Sequence, residues 1–108
     1  MNDVQQRDTL QKNGLKLRHQ QQLIAILMQH PRVESAWLFG SRALGTYKPH
    51  SDIDLVVSGE LLSLTDIADL LTQIELTTIP FKVDLLLKHK IKNDKLLEHI
   101  QTYGIKWV

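Results

Sequence analysis

Residues 33–57 read VESAWLFGSRALGTYKPHSDIDLVV, and this stretch decides the fold. Its first part, Val33 to Phe39, is short and rich in β-branched and aromatic residues. It ends at Gly40, so we predict a buried strand that delivers the chain to a tight turn. The last part, Ser51 to Val57, has the alternating pattern of a second strand. The stretch therefore predicts two strands connected through a glycine turn.

Two amphipathic helices are predicted on either side of these strands. The first runs from Leu15 to Gln29, and the second follows residues 58–59 and opens with Ser63 and Asp66 in capping-box spacing. The residues expected to face the core are Leu17, Leu23, Ile24, Ile26, Leu27 and Met28 in the first helix, and Leu64, Ile67, Ala68, Leu71 and Ile74 in the second.

A third strand and a last helix complete the pattern. Phe81 to Leu87 reads as the strand, with Asp84 on the face opposite its apolar residues. The helix is expected to start near Asn93 and to end at Gly104 in the left-handed C-cap conformation, before a short strand over 105–108. This order predicts an α/β (α+β) fold, in which a small mixed sheet of three to four strands packs against helices that cover one face.

Length and composition fit one compact domain. The chain has 108 residues, of which 43 % are hydrophobic, enough to close a single core. We expect the polar, glutamine-rich residues 1–12 to be a flexible lead-in and residues 13–108 to form the domain. The net charge of +1 provides no excess for binding a polyanion, so nucleic acid is not favoured as a partner.

The sequence carries no pattern of a disulfide framework, a signal peptide or a membrane-spanning segment. The chain has no cysteine, so a disulfide framework and a zinc–thiolate site are excluded. The start lacks a signal-peptide pattern, and the apolar runs are far shorter than the roughly 20 residues that cross a bilayer. The default expectation is a soluble cytoplasmic protein without a membrane partner.

Paired acids are the first chemical feature. Asp52 and Asp54 stand two residues apart in a predicted strand, so their carboxylates project from one face and repel each other unless a cation lies between them. Magnesium prefers hard oxygen ligands and commonly binds one or two carboxylates together with substrate phosphates. A second ion shared with Asp84 would give the two-metal clamp of in-line phosphoryl chemistry.

The turn before these acids suits a phosphate. Gly40 lets the main chain approach a ligand closely. Ser41 can begin a short helix whose free N–H groups and positive dipole end favour an anion. Arg42 stands beside them as a candidate bidentate phosphate donor. The stretch therefore predicts a phosphate site next to a metal site.

The arrangement of these motifs resembles a known signature. Gly40-Ser41, ten intervening residues and then Asp52-Ile53-Asp54 are similar to the signature of the DNA polymerase β-type nucleotidyltransferase superfamily. The fuller pattern at residues 42–45 and 51–55 resembles its smallest branch, the minimal nucleotidyltransferases (MNT). The resemblance covers roughly Val33 to Leu87.

The resemblance implies roles for individual residues. Gly40 and Ser41 would hold the β and γ phosphates of ATP. Asp52 and Asp54 would bind two Mg²⁺ ions, with Asp84 as a further metal ligand or general base. All three acids are therefore candidate catalytic residues.

The resemblance also implies a biological role. MNT proteins are typically found with a helical HEPN-type toxin and serve as its antitoxin. The expected reaction is transfer of AMP from ATP to a tyrosine hydroxyl of that partner, within a hetero-oligomer. Two alternatives stay open: a non-catalytic module that neutralises its partner by occlusion, and nucleotidyl transfer to a small molecule.

Several residues also have plain structural interpretations. Asp52 and Asp54 could be solvated strand positions, Asp84 could pair with Lys82, and Arg42 could be a surface charge. The remaining candidates are assigned to structure or solvent: His50 to a hydrogen-bonded loop, Trp37 and Trp107 to core or interface packing, and Lys88 to Lys95 to a solvated turn and helix start.

Overall fold

The computed structural model describes residues 9–108. The elements are α1 (Leu17–Gln29), β1 (Ser35–Phe39), α2 (Ser41–Leu44), β2 (Ile53–Ser58), α3 (Leu64–Glu75), β3 (Val83–Leu87), a 3₁₀ turn (Lys88–Lys90), α4 (Asp94–Tyr103) and β4 (Ile105–Lys106). The predicted order of helices and strands is confirmed. Among the described residues, no helix has the length and apolar character needed to span a membrane.

The described strands form one mixed sheet in the order β3-β2-β1-β4. Strand β1 pairs antiparallel with β2 and with β4, whereas β2 and β3 are parallel. The register places Phe39 opposite Asp54, and Asp54 opposite Asp84. The predicted small mixed sheet is therefore confirmed, and its pairing brings two acids from different strands side by side.

The main core lies on one face of the sheet, beneath α1 and α3. The fully buried side chains there include Leu38, Ile53 and Leu55 from the strands and Leu27 and Leu70 from the helices. Burying apolar area at about 25 cal/mol per Å² makes this layer the main source of stability.

The prediction that helices cover only one face is wrong. Helix α4 packs on the opposite face, where Phe39, Val56 and Ile100 form a second buried cluster with Trp37 and Leu86 at its edge. The part of this face around Phe39 and Val56 is apolar, and α4 shields it from water. Near the start of β2 and β3 the same face carries Asp54 and Asp84 instead. The site therefore lies where the apolar part of this face ends.

The helix faces differ from the sequence pattern at a few positions. Met28 and Leu64 are 66 % and 65 % exposed, and Ala68 is exposed as well. Leu70, which was not expected to face the core, is fully buried. The predicted left-handed cap at Gly104 is also wrong, because its φ of −60° and ψ of 136° lead the chain directly into β4.

The expected flexible segment is described only in part. Residues 1–8 lie outside the described residues. Leu10 forms a β-bridge with Lys16, and the Gln11 N–H donates to the carbonyl of Leu15 at 3.0 Å. The Gly14 N–H donates to the carbonyl of Gln11 at 2.9 Å and closes a turn over residues 11–14. The Gln11 side chain also donates to Gln20 at 2.7 Å, so this turn is attached to the first turns of α1.

Helix α3 begins at the predicted capping box. The Asp66 carboxylate accepts the Ser63 N–H at 2.9 Å, and the Asp66 N–H donates to the Ser63 hydroxyl at 3.3 Å. Arg32 and His30 lie 3.2 and 3.3 Å from the same carboxylate. The Ser63 N–H is the main cause that lowers the pKa of Asp66; burial opposes it, and the Ser63 hydroxyl and Arg32 add to it.

We expect Asp66→Asn to destabilise the protein at neutral pH but not in acid. The folded-state pKa of Asp66 lies below its unfolded value, so the ionised carboxylate stabilises the fold fully above the ordinary aspartate pKa of about 3.9 and loses this effect as pH falls through the lowered value. Urea unfolding across pH should show the difference between wild type and variant shrinking in acid. Asp69→Asn, on the exposed side of α3, is the matched control. A difference that is independent of pH would contradict the assignment.

Candidate active site

The predicted glycine turn is present between β1 and α2. Gly40 has φ 74° and ψ −156°, a conformation that side chains disfavour, and its carbonyl accepts the N–H groups of Ala43 and Leu44 at 3.1 Å each. Helix α2 is a single turn, so the Ser41 and Arg42 N–H groups lack acceptors within the helix. Because α2 has only four residues, the helix dipole that was expected to favour a phosphate is small.

The Gly40 turn lies directly against the carboxylate of Asp54. A Cβ atom added to Gly40 would overlap Oδ2 of Asp54. This contact follows from the pairing of β1 with β2, which sets Phe39 opposite Asp54. Glycine is therefore required here for two reasons, the positive φ and the carboxylate beside it.

Asp54 and Asp84 occupy neighbouring positions on the parallel strands β2 and β3. Burial raises the pKa of Asp54, and the carboxylates of Asp84 and Asp52 raise it further, while Arg42 and His99 oppose the shift. The three acids therefore lie close enough to repel one another. A cation between them would relieve that repulsion.

Asp52 and Asp84 are half-buried, as Asp54 is. Asp52 precedes β2 by one residue, outside the strand in which the sequence placed it. Asp84 lies 3.5 Å from the Nζ atom of Lys82, so the ion pair considered from the sequence exists. The Lys82 side chain is 72 % exposed, and such surface pairs contribute little to stability.

Asp52, Asp54 and Asp84 are the candidate ligands of the magnesium that the sequence predicts. Within residues 9–108, no three histidine, aspartate or glutamate side chains converge as the ligands of a single ion would. The neighbouring Asp54 and Asp84 nevertheless offer hard carboxylate oxygens, and magnesium commonly binds one or two carboxylates and completes its shell with phosphates and water. The residues fit a metal held jointly with a nucleotide.

A cleft of about 690 Å³ runs beside these acids around the β3 edge of the sheet. Its charged groups come from Asp54, Glu75, Lys82 and Asp84, and its aromatic walls from Phe39 and Phe81. Its size is within the range of small-molecule sites, and its mixture of apolar walls with a few charged groups is typical of them.

Arg42 is placed differently from both sequence interpretations. It is only 2 % exposed, so the surface-charge interpretation is wrong. Its Nε and Nη2 donate to the Ser51 carbonyl at 3.2 and 2.8 Å, and Nη1 donates to the Asn13 carbonyl at 3.0 Å. The guanidinium also lies 4.3 Å from the Phe81 ring centre and 5.0 Å from that of Tyr47. These contacts connect three loops around the site and give no support to phosphate binding by its side chain.

Burial has an electrostatic effect on this arginine. It lowers the pKa of Arg42, while the nearby Tyr47, Asp52 and Asp54 oppose that shift. The guanidinium is thus a positive charge close enough to interact with Asp52 and Asp54, although its N–H groups face main-chain carbonyls.

Sequence reasoning missed His99. Its Nε2 accepts the Gly40 N–H at 3.0 Å, and its ring contacts those of Phe39 and Tyr103. The available signal was its position on α4 beside the buried Ile100, but helical spacing does not reveal a partner 59 residues away.

The residues assigned to structure or solvent follow expectation. Trp37 and Trp107 pack against the two buried clusters, and the histidine and lysines of 88–95 are exposed. Lys88 Nζ lies 4.7 Å from the Trp37 ring centre. His50 is exposed in the loop before β2.

The chain matches a known protein family over most of its length. The model of the family described as "Polymerase beta, Nucleotidyltransferase" matches residues 21–106. This chain belongs to that nucleotidyltransferase family. No match was found among curated protein sequences. The matched range includes the glycine turn, all three acids and the last helix of the domain.

Solved structures with the same fold include several MNT antitoxins in complex with HEPN toxins. A toxin–antitoxin complex with AMP-PNP aligns at TM-score 0.69 and 24 % identity, covering 82 % of this chain and 72 % of that one. A tri-AMPylated Shewanella oneidensis HEPN toxin in complex with its MNT antitoxin aligns at 0.66 and 20 %, covering 87 % and 72 %. The MntA–HepT complex aligns at 0.63 and 20 %, covering 84 % and 70 %. These matches confirm the nucleotidyltransferase fold.

Gly40→Ala should lower the free energy of unfolding more than Gly45→Ala does. Both glycines have positive φ, but a Cβ at Gly45 meets open space whereas one at Gly40 meets Asp54. We expect Gly45→Ala to cost about 1–2 kcal/mol and Gly40→Ala to cost more. Adding Asp54→Ala should recover part of the Gly40→Ala loss in a double-mutant cycle measured by urea unfolding. Equal losses in the two single variants, or no recovery, would argue against the steric contact.

Arg42→Met should lower the free energy of unfolding by about 2–3 kcal/mol, because two partly buried carbonyls lose their donors and the ring contacts are lost. Thermal and urea unfolding without nucleotide would measure this. Lys92→Met, at an exposed position, is the control. Unchanged stability together with weaker nucleotide binding would instead identify Arg42 as a phosphate ligand.

Proposed function

We propose that this chain is a magnesium-dependent nucleotidyltransferase that transfers AMP from ATP to a hydroxyl group, a tyrosine of a HEPN-type partner, and so acts as its antitoxin. The observation that carries the proposal is the contact of the Gly40 turn with Asp54, beside Asp84 on the next strand. That contact brings the glycine turn beside two neighbouring carboxylates, and this supports a site for a magnesium-bound nucleotide.

The residue roles follow from this geometry and from the family. Asp52, Asp54 and Asp84 would hold Mg²⁺, with two ions expected once nucleotide is bound. Gly40 and Ser41 would lie along the β and γ phosphates. Since the Gly40 N–H donates to His99, its contribution is close approach. The N–H of Ser41 has no acceptor within helix α2 and would be the phosphate donor of the pair.

The proposed reaction is one in-line displacement. The acceptor oxygen forms a bond to the α-phosphorus of ATP while the bond from that phosphorus to its bridging oxygen breaks, and pyrophosphate leaves. The acceptor hydroxyl gives up its proton, and the partly exposed carboxylate of Asp84 would receive it. Bound magnesium supplies charge neutralisation for the phosphates. The chain contributes mainly positioning and fixed charge.

The partner is proposed from the structural neighbours. One neighbour is an MNT antitoxin in complex with a tri-AMPylated HEPN toxin, and another is a toxin–antitoxin complex with AMP-PNP. A hetero-oligomer with a helical partner would bring the acceptor hydroxyl to the open side of Asp84, whose side chain is 42 % exposed.

A second candidate is neutralisation of the partner by occlusion, without transfer. The observation in its favour is that the acids in residues 9–108 do not converge on one point. Against it, a purely binding surface has no need of neighbouring carboxylates that raise the pKa of Asp54. Labelled ATP distinguishes the two, since occlusion gives stoichiometric binding and no covalent label.

We expect Asp52→Asn and Asp54→Asn each to reduce transfer at least a hundredfold, because the metal site loses a charged ligand and electrostatic stabilisation on this scale is typical of such groups. The assay incubates the purified chain with labelled ATP, Mg²⁺ and its helical partner, and follows label on the partner. Circular dichroism would verify folding, and Asp69→Asn is the matched control. Transfer retained in both variants would rule out the proposed role of the acids.

A further inference from the structure

Both main-chain groups of Gly40 are bonded within the protein. Its carbonyl accepts from Ala43 and Leu44, and its N–H donates to Nε2 of His99 at 3.0 Å. Because this nitrogen accepts a hydrogen bond, the ring proton of the neutral imidazole lies on Nδ1. His99 thus joins α4 to the turn that follows β1.

The His99 ring is held in place by its neighbours. It meets the Phe39 ring edge-on, with the ring centres 6.3 Å apart, and lies 5.5 Å from the Tyr103 ring. The next residue, Ile100, is 5 % exposed and anchors α4 in the second buried cluster. The position of the acceptor nitrogen is therefore set by packing of both β1 and α4.

Gly40 depends on such a bond more than another residue would. It has no side chain to pack, and its dihedral angles are open to it only because it is glycine. The hydrogen bond from its N–H to His99 holds the Phe39–Gly40 peptide, and the hydrogen bonds to its carbonyl hold the Gly40–Ser41 peptide. Together these two peptides set the distance to Asp54 and the direction of the Ser41 N–H.

We propose that His99 is a positioning residue of the nucleotide site, which fixes the Gly40 turn in the geometry that accepts a magnesium-bound triphosphate. The ligand named here rests on the proposed function. The effect acts through the acceptor nitrogen of the imidazole, and the ring itself serves to hold that nitrogen in place. His99 therefore influences triphosphate binding without touching the nucleotide.

The hydrogen bond can be observed directly in the full chain without any ligand. An N–H···N hydrogen bond transmits a scalar coupling between its two nitrogens, so ¹⁵N-labelled protein should show a coupling between the Gly40 amide and His99 Nε2. The coupling should disappear in His99→Phe. Its absence from the wild type would overturn the proposal.

Two substitutions separate the acceptor from the ring. His99→Phe keeps an aromatic ring against Phe39 and Tyr103 but has no acceptor, whereas His99→Gln supplies an acceptor oxygen at similar reach and loses the ring. Calorimetry with Mg²⁺ and a non-hydrolysable ATP analogue measures binding. We expect His99→Phe to bind roughly three- to tenfold more weakly, the range of one net hydrogen bond, and His99→Gln to stay near wild type. His89→Phe, at an exposed position, is the control.

The outcomes distinguish this inference from the proposed function. Equal weakening in His99→Phe and His99→Gln would assign the effect to ring packing and overturn the positioning role, as would wild-type affinity in His99→Phe. If the wild type binds the analogue with this pattern but labels no partner, the transfer proposal fails and the positioning role stands. A wild type that binds no nucleotide would overturn both.

Discussion

The contact between the Gly40 main chain and the Asp54 carboxylate is the constraint on which the rest of the site depends. It arises from one strand register, since Phe39 opposite Asp54 brings the next residue beside the acid. The parallel pairing of β2 with β3 then adds Asp84 at the same level. A slip of one residue in either pairing would turn the acids to the apolar face, so the core that fixes the register also fixes the site.

Two partly or fully buried side chains support this contact from opposite sides. Arg42 connects the helix after the turn to the carbonyl of Ser51, one residue before Asp52, and stacks on Phe81, just before β3. His99 holds the turn itself from α4. The loops that carry the chemistry are thus attached to one another, in keeping with the general need of a preorganised site for a supporting shell.

The sequence predicts those features that depend on neighbouring residues. Strand alternation and the glycine turn lie in one local stretch, and the capping box of α3 lies within four residues, so both are visible in the chain. The burial of Arg42 is not, because it depends on carbonyls of loops that meet only in the folded protein. The partnership of His99 with Gly40 spans 59 residues and leaves no periodic signal. The cover of the second sheet face by α4 was missed because strand alternation does not show which face the helix will choose.

Electrostatics connects occupancy of the site to stability. Burial and the neighbouring acids place the folded-state pKa of Asp54 above its ordinary value. A group shifted in this direction favours the fold while it is protonated, and that contribution is lost as pH rises through the raised pKa. Ionisation of Asp54 therefore opposes folding, and Arg42 and His99 offset this only in part, because the net shift of its pKa is upward. A cation that binds only the folded arrangement removes the repulsion and adds its own binding free energy. When no ligand is bound, repulsion among the clustered acids destabilises the fold. A ligand-binding role therefore explains their arrangement better than a structural role does.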